Sequence, residues 1–430
     1  MSDDEGPMAS GGPISPTPAS PPVNDDALSQ ILLRLPPAPS SLPRVSLVCK
    51  RWRRLVTDPA FLRLFGARHR RSAPLLGFFK LRQGGVSFTP ALRPPDRIPP
   101  ERLSLRLDDV YGWRILCCRH GLVLLLHLTP PLHLLVWDPL TGEQRRVSIP
   151  PGFYSKYIKL VFNGAVLRGA GDINCGGHPS PFQVVLIGSN DELTPVFACV
   201  YSSETGAWGK IVSAACPSMR PVHLRSTLIG GSLYWFLDGD SVGILEFDLD
   251  RHCLAVIEMP LEMADEDAHF RVMRAEGGGL GFLCLSEYNI QLWKRKIDCD
   301  GDAGWVLGRT IELHKLLSLT RDREFSLAVR ISGFVEDDNV LFLSTNVGRF
   351  VIQLDTLQLK KPFGTFCDGY PFASVYNAGM GIGAEQDRGE LLHNTQPDCL
   401  VSCATLGMAV DQASASSEDI RCSMYCSAHL

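Results

Sequence analysis

The sequence has no hydrophobic run long enough to cross a membrane. Its most apolar stretch, residues 121–137, is interrupted by Pro130 and Pro131. Each half has the length of a β-strand and not of the roughly 20-residue helix that a bilayer requires. The first ten residues, MSDDEGPMAS, are acidic and lack the basic and then apolar order of a secretory signal. We therefore expect no membrane partner.

A large excess of charge of one sign is also missing. Lys and Arg number 42 and Asp and Glu number 46, so the formal net charge is −4 in a chain of 430 residues. Overall electrostatics thus gives no reason to expect nucleic acid as a partner. The dense basic cluster within SLVCKRWRRLV (46–56) is a local feature that needs its own explanation.

Common catalytic and cofactor motifs do not occur. The sequence contains no G-x-x-x-x-G-K-[ST] phosphate loop, no G-x-S-x-G elbow and no H-E-x-x-H zinc motif. The Gly-rich stretch 169–177 lacks the strand-to-helix context of a dinucleotide fingerprint and is predicted to be a loop. We therefore expect no cofactor and assign no catalytic residue.

Cysteine usage favours reduced thiols. The 14 cysteines show no framework spacing, which is typical of the cytosol or nucleus and not of a secreted disulfide scaffold. Cys117 and Cys118 beside His120 are expected to be buried thiols. Two C-x₃-C pairs lie near the end of the chain in a segment with little else to fold, so no metal site is expected: Cys399, Cys403, Cys422 and Cys426.

Composition divides the chain into four parts. Residues 1–23 are rich in Pro, Ser, Gly and Ala and are predicted to be a disordered leader. A helical segment is expected at 24–71, followed at 72–376 by short β-type runs separated by Gly, Pro and Asp turns. Residues 377–430 are small and polar and are predicted to be mostly disordered. The expected fold class is α+β and multidomain, with a small helical domain before an all-β domain.

The helical segment is predicted to contain three short helices. Asn24 is placed to cap the first helix, and Pro36 with Pro37 ends it. Between them, apolar residues follow the i, i+3, i+4, i+7 spacing of a one-sided helix: Leu28, Ile31, Leu32 and Leu35. Asp58 followed by Pro59 is typical of the start of a third helix.

The second helix is expected to start at Ser40 or Ser41 and to include the basic cluster. On a helical wheel its apolar residues share about one third of the circumference: Val45, Val48, Cys49, Trp52, Leu55 and Val56. The cations occupy the opposite side with Leu47 among them, which is typical of a solvated helix face. A nuclear-import signal and contacts with phosphate are the alternatives for these cations.

Three short helices bury little apolar surface. At about 25 cal/mol per Å² such a segment is marginally stable by itself. We therefore expect a partner polypeptide to cover its apolar side.

The stretch DDALSQILLRLP…LVCKRWRRLVTDPAFLRLF (25–65) resembles the F-box, which binds the Skp-type adaptor of SCF (Skp–cullin–F-box) ubiquitin ligases. The family's elements occur in order: Asp-Asp-x-Leu, Ile-Leu-x-Arg-Leu-Pro, Val-Cys-Lys-x-Trp and Asp-Pro-x-Phe. Val23-Asn24 stands where the family usually has Leu-Pro. The resemblance implies binding to the adaptor, and through it to cullin and RING subunits, by these residues: Leu28, Ile31, Leu32, Leu35, Pro36, Leu47, Val48, Cys49 and Trp52.

The whole layout is similar to plant F-box proteins with a C-terminal F-box-associated domain. The phrases CRHGLVLLL, LLVWDPLTGEQRRV, VYSSETGAWG and GGSLYWFL carry this resemblance. It implies a non-catalytic, substrate-recognition subunit whose β-domain binds a target protein that the sequence does not identify. The alternative is a β-propeller enzyme or ligand-binding protein in which the helical segment is only structural.

Residues 72–376 repeat a unit of strands separated by polar turns. The turn positions recur at intervals close to the 40–50 residues of a propeller blade, with two longer intervals: Asp138, Ser202, Asp248, Lys294 and Asp355. With a further unit at 75–81, this predicts a kelch-like or divergent β-propeller of about six blades. A β-sandwich or two smaller β-domains are the alternatives. Candidate recognition loops lie at 169–181, 238–242 and 298–304.

Overall fold

The computed structural model describes most of the chain between residues 24 and 376. The described ranges are 24–109, 112–150, 153, 160–168, 181–190, 195–216, 219–221, 225–260, 268–286, 288–297, 301–317, 329–345, 348–360 and 369–376. The predicted leader, the predicted tail with its two cysteine pairs, and residues 169–180 and 298–300 of the candidate loops lie outside them. The three boundaries between the four parts inferred from composition stay predictions.

Four α-helices form the helical segment, followed by a 3-10 turn at Arg70–Ser72: α1 (Asp25–Leu32), α2 (Ser41–Ser46), α3 (Lys50–Thr57) and α4 (Pro59–His69). Two of the predicted caps are present. Asn24 Oδ1 accepts a hydrogen bond from Asp26 N at 3.2 Å. Asp58 Oδ1 accepts from Ala60 N and Phe61 N at 2.8 and 3.1 Å, which satisfies two N–H groups that the first turn of α4 leaves open.

The continuous second helix predicted across the basic cluster is wrong. The helix ends at Ser46, whose hydroxyl donates to the Pro43 carbonyl oxygen at 2.6 Å. The Ser46 carbonyl oxygen accepts from Arg53 Nε at 3.1 Å. A bond from a serine hydroxyl to the backbone competes with helix propagation, and the Arg53 side chain occupies the Ser46 carbonyl oxygen, so the segment contains four helices in place of three.

The break changes which side chains reach the surface. Cys49 becomes the N-cap of α3, and its sulfur accepts a hydrogen bond from Trp52 N at 3.5 Å. Val48 and Cys49, expected on the buried side of one helix, are exposed together with Leu47. A helical wheel could not show this, because it assumes an unbroken helix.

The β-region forms six antiparallel sheets of four or five strands, called blades 1 to 6 in chain order. A 3-10 turn at Pro100–Leu103 precedes β3, and the short helix α5 (Leu313–Leu316) follows β21. The strands of blades 1 to 3 are β1 (Leu75–Arg82), β2 (Gly85–Pro90), β3 (Leu105–Arg106), β4 (Trp113–Arg119), β5 (Leu122–His127), β6 (His133–Trp137), β7 (Gln144–Ser148), β8 (Leu160–Arg168), β9 (Phe182–Asn190), β10 (Val196–Ser202), β11 (Ala207–Trp208) and β12 (Val212–Ala214). Those of blades 4 to 6 are β13 (Met219–Pro221), β14 (Thr227–Ile229), β15 (Ser232–Gly239), β16 (Gly243–Asp248), β17 (Cys253–Glu258), β18 (His269–Arg274), β19 (Leu280–Ser286), β20 (Asn289–Ile297), β21 (Ala303–Glu312), β22 (Arg330–Val335), β23 (Val340–Thr345), β24 (Gly348–Gln353) and β25 (Gln358–Lys360).

The last strand closes the ring of blades. β26 (Tyr370–Ala373) pairs antiparallel with β1, so blade 1 has the order β26-β1-β2-β3 and combines both ends of the β-region. Phe79 lies opposite Tyr370 in this register. The prediction of a propeller of about six blades is confirmed, and the sandwich alternative is excluded. The kelch-like subtype stays a prediction.

Apolar side chains fill the space between neighbouring blades. The Phe79 ring of β1 lies 5.2 Å from the Trp137 ring of blade 2, measured between centroids. On the other side of blade 1, the Phe78 ring lies 5.2 Å from Phe342 of blade 6. The core of the propeller is therefore distributed over the interfaces between blades.

Most of the turn positions that indicated the repeat occupy equivalent places. Four of them lie at the end of, or just after, the third strand of a blade: Asp138, Ser202, Asp248 and Asp355. The placement of Lys294 in a turn is wrong, because it lies inside β20. That strand continues to Ile297, where it pairs with Ala303, and so delays the turn.

The helical segment contacts the propeller. Ser40 N donates to Asp96 Oδ1, between β2 and β3, at 2.9 Å. Val375, just after β26, packs against the hydrophobic core of the helices. Within the described ranges, no helix combines the length and the apolar character needed to cross a bilayer.

Candidate functional site

The residues predicted to bind an adaptor fall into three groups by exposure. Leu28 and Leu32 are buried in the core of the helical segment, where they pack with Val45, Val56, Phe61 and Phe65. Leu35 and Trp52 are half-buried against the same core. The others are exposed: Ile31, Pro36, Leu47, Val48 and Cys49.

Three of these exposed residues are large and apolar. Ile31 is 57% exposed, Leu47 is 76% exposed and Val48 is 62% exposed. Apolar surface concentrated on so small a segment is typical of an interaction site. The segment therefore uses one set of apolar side chains for its own core and leaves another set in water.

The basic cluster makes contacts between the helices of the segment. Arg51 Nε lies 2.7 Å from Asp25 Oδ1, and Arg54 Nη2 lies 3.3 Å from Asp25 Oδ2. The hydrogen bond from Arg51 lowers the pKa of the Asp25 carboxyl. Because Arg53 also bonds to the Ser46 carbonyl, three of the four cations make contacts that connect α1, α2 and α3.

A second candidate site lies at the centre of the propeller. Residues of five blades line one cavity of about 220 Å³. Its charged and aromatic lining includes Arg119 of β4, Arg225 before β14, Arg271 of β18, Glu336 after β22 and Tyr370 of β26.

One buried ion pair joins three blades across this cavity. Arg119 Nε and Nη2 donate to Glu336 Oε1 and Oε2 at 2.5 and 2.9 Å. Arg119 also donates to the Ser226 carbonyl oxygen at 2.8 Å, and Leu228 N donates to Glu336 Oε2 at 3.0 Å. Burial is the largest single effect on Arg119 and disfavours its charge, but the attraction and hydrogen bonds of Glu336, with smaller contributions from neighbouring groups, together raise the pKa of Arg119.

The other two arginines have no such partner in the described part of the chain. Arg225 Nη2 donates to the Gly369 carbonyl oxygen, and its guanidinium carbon lies 4.0 Å from the centre of the Tyr370 ring. Arg271 Nη1 donates to the Phe270 carbonyl oxygen at 2.8 Å. Burial, and then the nearby charge of Arg225, lower the pKa of Arg271 to about 10.

The predicted thiols lie beside this cavity. Cys117 is buried and Cys118 is half-buried, and burial raises the pKa of both thiols. His120 occupies the turn between β4 and β5 with a φ of 52°. Burial, and then the charge of Arg119, lower the pKa of His120 to about 4, so its ring is neutral at pH 7. Over the described ranges, no three His, Cys, Asp or Glu side chains are grouped to hold a metal ion.

Reasoning from the sequence did not find the cavity. The sequence did contain a sign of it, because arginines occur within two apolar strands that are each the first of their blade. These strands are β4 (WRILCCR) and β18 (HFRVMR). However, the cavity arginines are separated by long stretches of sequence, and only closure of the ring brings them together.

Comparisons with known proteins give the family. Residues 114–376 match the family model described as "F-box protein AT5G49610-like, beta-propeller". The chain belongs to this family. Residues 23–64 of this F-box protein match the F-box domain, in agreement with the resemblance seen in the sequence.

Two F-box proteins of Arabidopsis thaliana are similar over much of the chain. The F-box/kelch-repeat protein At1g15680 is 25% identical over 319 residues, which cover 67% of this chain and 72% of the relative. F-box protein At5g49610 is 28% identical over 281 residues, which cover 63% of this chain and 74% of the relative. Among solved structures, the Dos1 propeller aligns with a TM-score of 0.34 and 11% identity over 70% of this chain and 76% of its own, a likeness too low to bear on function.

Proposed function

We propose that this F-box protein is a substrate-recognition subunit of an SCF-type ubiquitin ligase. In this role the F-box binds a Skp-type adaptor, which connects it to the cullin and RING subunits, and the propeller binds a target protein. No residue of the chain transfers ubiquitin. The protein acts by holding the target near the charged enzyme, which raises the effective concentration of target lysines.

The observation that carries this proposal is the exposed apolar surface of the F-box. Ile31, Leu47 and Val48 remain in water, although the propeller contacts the same segment through Asp96 and Val375. Covering a Leu or Val side chain fully contributes roughly 1.5–3 kcal/mol. Burial of these side chains by an adaptor would therefore supply much of the affinity of a stable complex.

The contacts between the F-box and the propeller also support a receptor. The bond from Ser40 to Asp96 and the packing of Val375 connect the two parts at more than the chain junction. A target on the propeller would thus be held in a restricted position relative to the adaptor, which lowers the entropy cost of reaching a lysine.

The proposed compartment is the cytosol or the nucleus. None of the seven cysteines in the described part of the chain is in a disulfide there, and four of them are buried. Free thiols agree with a reducing compartment.

The test compares two equally exposed apolar residues. Leu47→Asp on the F-box is expected to weaken binding of a purified Skp-type adaptor at least tenfold, because 1.4 kcal/mol corresponds to a factor of ten in affinity. Ile297→Asp on the propeller is the matched control, since Ile297 is 74% exposed against 76% for Leu47. Isothermal titration calorimetry on the full chains gives both affinities. Equal binding by the wild type and the Leu47 variant would contradict the proposed surface.

The choice of position matters for this test. Leu32 is only 2% exposed, so Leu32→Asp would place a carboxylate in the F-box core and would unfold the segment whether or not an adaptor binds there. Ile31→Asp introduces the same carboxylate on the exposed side of the same helix. It is expected to weaken adaptor binding and to leave the circular dichroism spectrum unchanged.

A further inference from the structure

The central cavity holds more positive charge than its described carboxylates neutralise. The carboxylate of Glu336 neutralises the charge of Arg119, with which it forms an ion pair. Arg225 and Arg271 line the same cavity, and in the described ranges no carboxylate lies within ion-pair distance of either. Asp337 is the other carboxyl group in the lining, but the residue is exposed to water and forms no ion pair with either arginine.

The two guanidinium groups keep hydrogen-bond donors for a ligand. A guanidinium has five N–H donors in a planar fork. Arg271 uses Nη1 for the Phe270 carbonyl, and Arg225 uses Nη2 for the Gly369 carbonyl. Arg225 also makes a hydrogen bond with the Tyr370 side chain, so Arg271 keeps the larger share of its N–H groups for a ligand. Both residues line the cavity.

Charge repulsion also favours a ligand of opposite sign. Arg225 and Arg271 line the same cavity, so their like charges repel each other, and the charge of Arg225 is the second cause, after burial, of the lowered pKa of Arg271. Arginine does not lose its proton at neutral pH, so this repulsion persists under physiological conditions. An anion between the two groups would remove it.

We propose that the central cavity binds an oxyanion, a carboxylate or a phosphate, through Arg225 and Arg271. Guanidinium groups bind both anions with paired, charge-assisted hydrogen bonds. The cavity, at about 220 Å³, exceeds an engineered protein cavity of about 150 Å³ that binds benzene, so a small organic acid fits. The anion belongs either to a free small molecule or to an acidic side chain of another protein. This site does not depend on the proposed ligase function.

Titration of the full chain at low, constant ionic strength tests the proposal. The probes are inorganic phosphate, citrate, a hexaglutamate peptide and a neutral hexaglutamine peptide. At least one anionic probe is expected to bind with a Kd below 1 mM, and hexaglutamine is not. Binding of citrate or phosphate alone indicates a free small anion, whereas preference for hexaglutamate indicates an acidic segment of a protein.

Substitutions of the cavity arginines test whether the anion binds in the cavity. Arg271→Gln and Arg225→Gln are each expected to lower the affinity for the anion at least tenfold. Arg309→Gln is the control, because Arg309 is exposed on the outer strand β21 of the same blade as Arg271. Arg271→Lys keeps the charge and is expected to restore part of the affinity.

Stability provides a second readout that does not require a ligand. If Arg271 serves a ligand, Arg271→Gln removes charge repulsion and is expected to leave the Tm of the empty protein unchanged or higher. Three results would overturn the proposal: no anion binds at 10 mM, the Arg271 and Arg309 variants bind equally, or Arg271→Gln lowers the Tm markedly while anion binding is weak in the wild type. The last result would assign Arg271 to structure alone.

Discussion

The ion pair between Arg119 and Glu336 offers the sharpest test of how the ring of blades is held together. The Arg119 side chain is 5% exposed and that of Glu336 is 19% exposed, so loss of either partner leaves the other charge in a poorly solvated site. Breaking such a pair costs about 3–5 kcal/mol. Because Glu336 keeps some contact with water, we expect about 3 kcal/mol for Glu336→Leu and a similar loss for Arg119→Met.

The double variant distinguishes a buried ion pair from ordinary packing. Replacing both partners removes both uncompensated charges and leaves the Ser226 and Leu228 backbone groups without their side-chain partners, which costs about 1–2 kcal/mol. The double variant should therefore be more stable than either single variant. Lys315→Ala, which breaks an exposed pair with Glu312 at 2.7 Å, is the control and should cost less than about 1 kcal/mol.

Guanidinium denaturation followed by tryptophan fluorescence measures these differences. For a domain of this size, about 3 kcal/mol corresponds to a fall in Tm of roughly 4–5 °C, which calorimetry resolves. The reasoning is refuted if Glu336→Leu behaves like Lys315→Ala, or if the losses of the two single variants simply add in the double variant.

Three further predictions concern the propeller. Because the pKa of His120 is lowered to about 4, the unfolded chain binds a proton between pH 6.5 and about 4 that the folded chain does not, and the protein loses stability on acidification through this window. Asn tolerates the positive φ of this position, so His120→Asn should reduce the loss by about 2 kcal/mol, measured by denaturation curves at pH 7 and 4.5. Gly77→Ala should lower the free energy of unfolding by about 2–3 kcal/mol, because a Cβ there would lie 2.3 Å from the Thr89 carbonyl oxygen. Gly66→Ala on α4 is the control: its Cβ would meet nothing within 4 Å, and it should not destabilise the chain. A chain truncated before β26 should lose cooperative thermal unfolding, because the ring cannot close, whereas one ending at Tyr376 should retain it.

The helix caps and the blade repeat were accessible from the sequence because their causes are local. Asn24 and Asp58 bond to backbone N–H groups two or three residues away, and these bonds form as their residue types predict. Turns after the third strands are likewise determined within a few residues, as the Asp138 carboxylate shows by accepting from Leu140 N at 2.9 Å.

The exposed apolar residues of the F-box could be predicted only in part. Spacing placed Leu28, Ile31 and Leu32 on one face, but the structure buries the first and third and leaves Ile31 exposed. The exposure of Leu47, Val48 and Cys49 results from the break between α2 and α3. It depends on bonds of Ser46 to Pro43 and Arg53, which helical periodicity does not include.

The sequence by itself determined a capped helical segment that matches an F-box, followed by a repeating β-region of about six blades, since both follow from short-range hydrogen bonding and regular apolar spacing. Tertiary structure alone decided which apolar side chains stay in water and which charges meet. Arg119 and Glu336 are 217 positions apart in the chain, and only the pairing of β26 with β1 brings them and the other cavity arginines into one small, poorly solvated space. Long-range electrostatics of this kind depends on distance and burial, which a linear pattern does not contain.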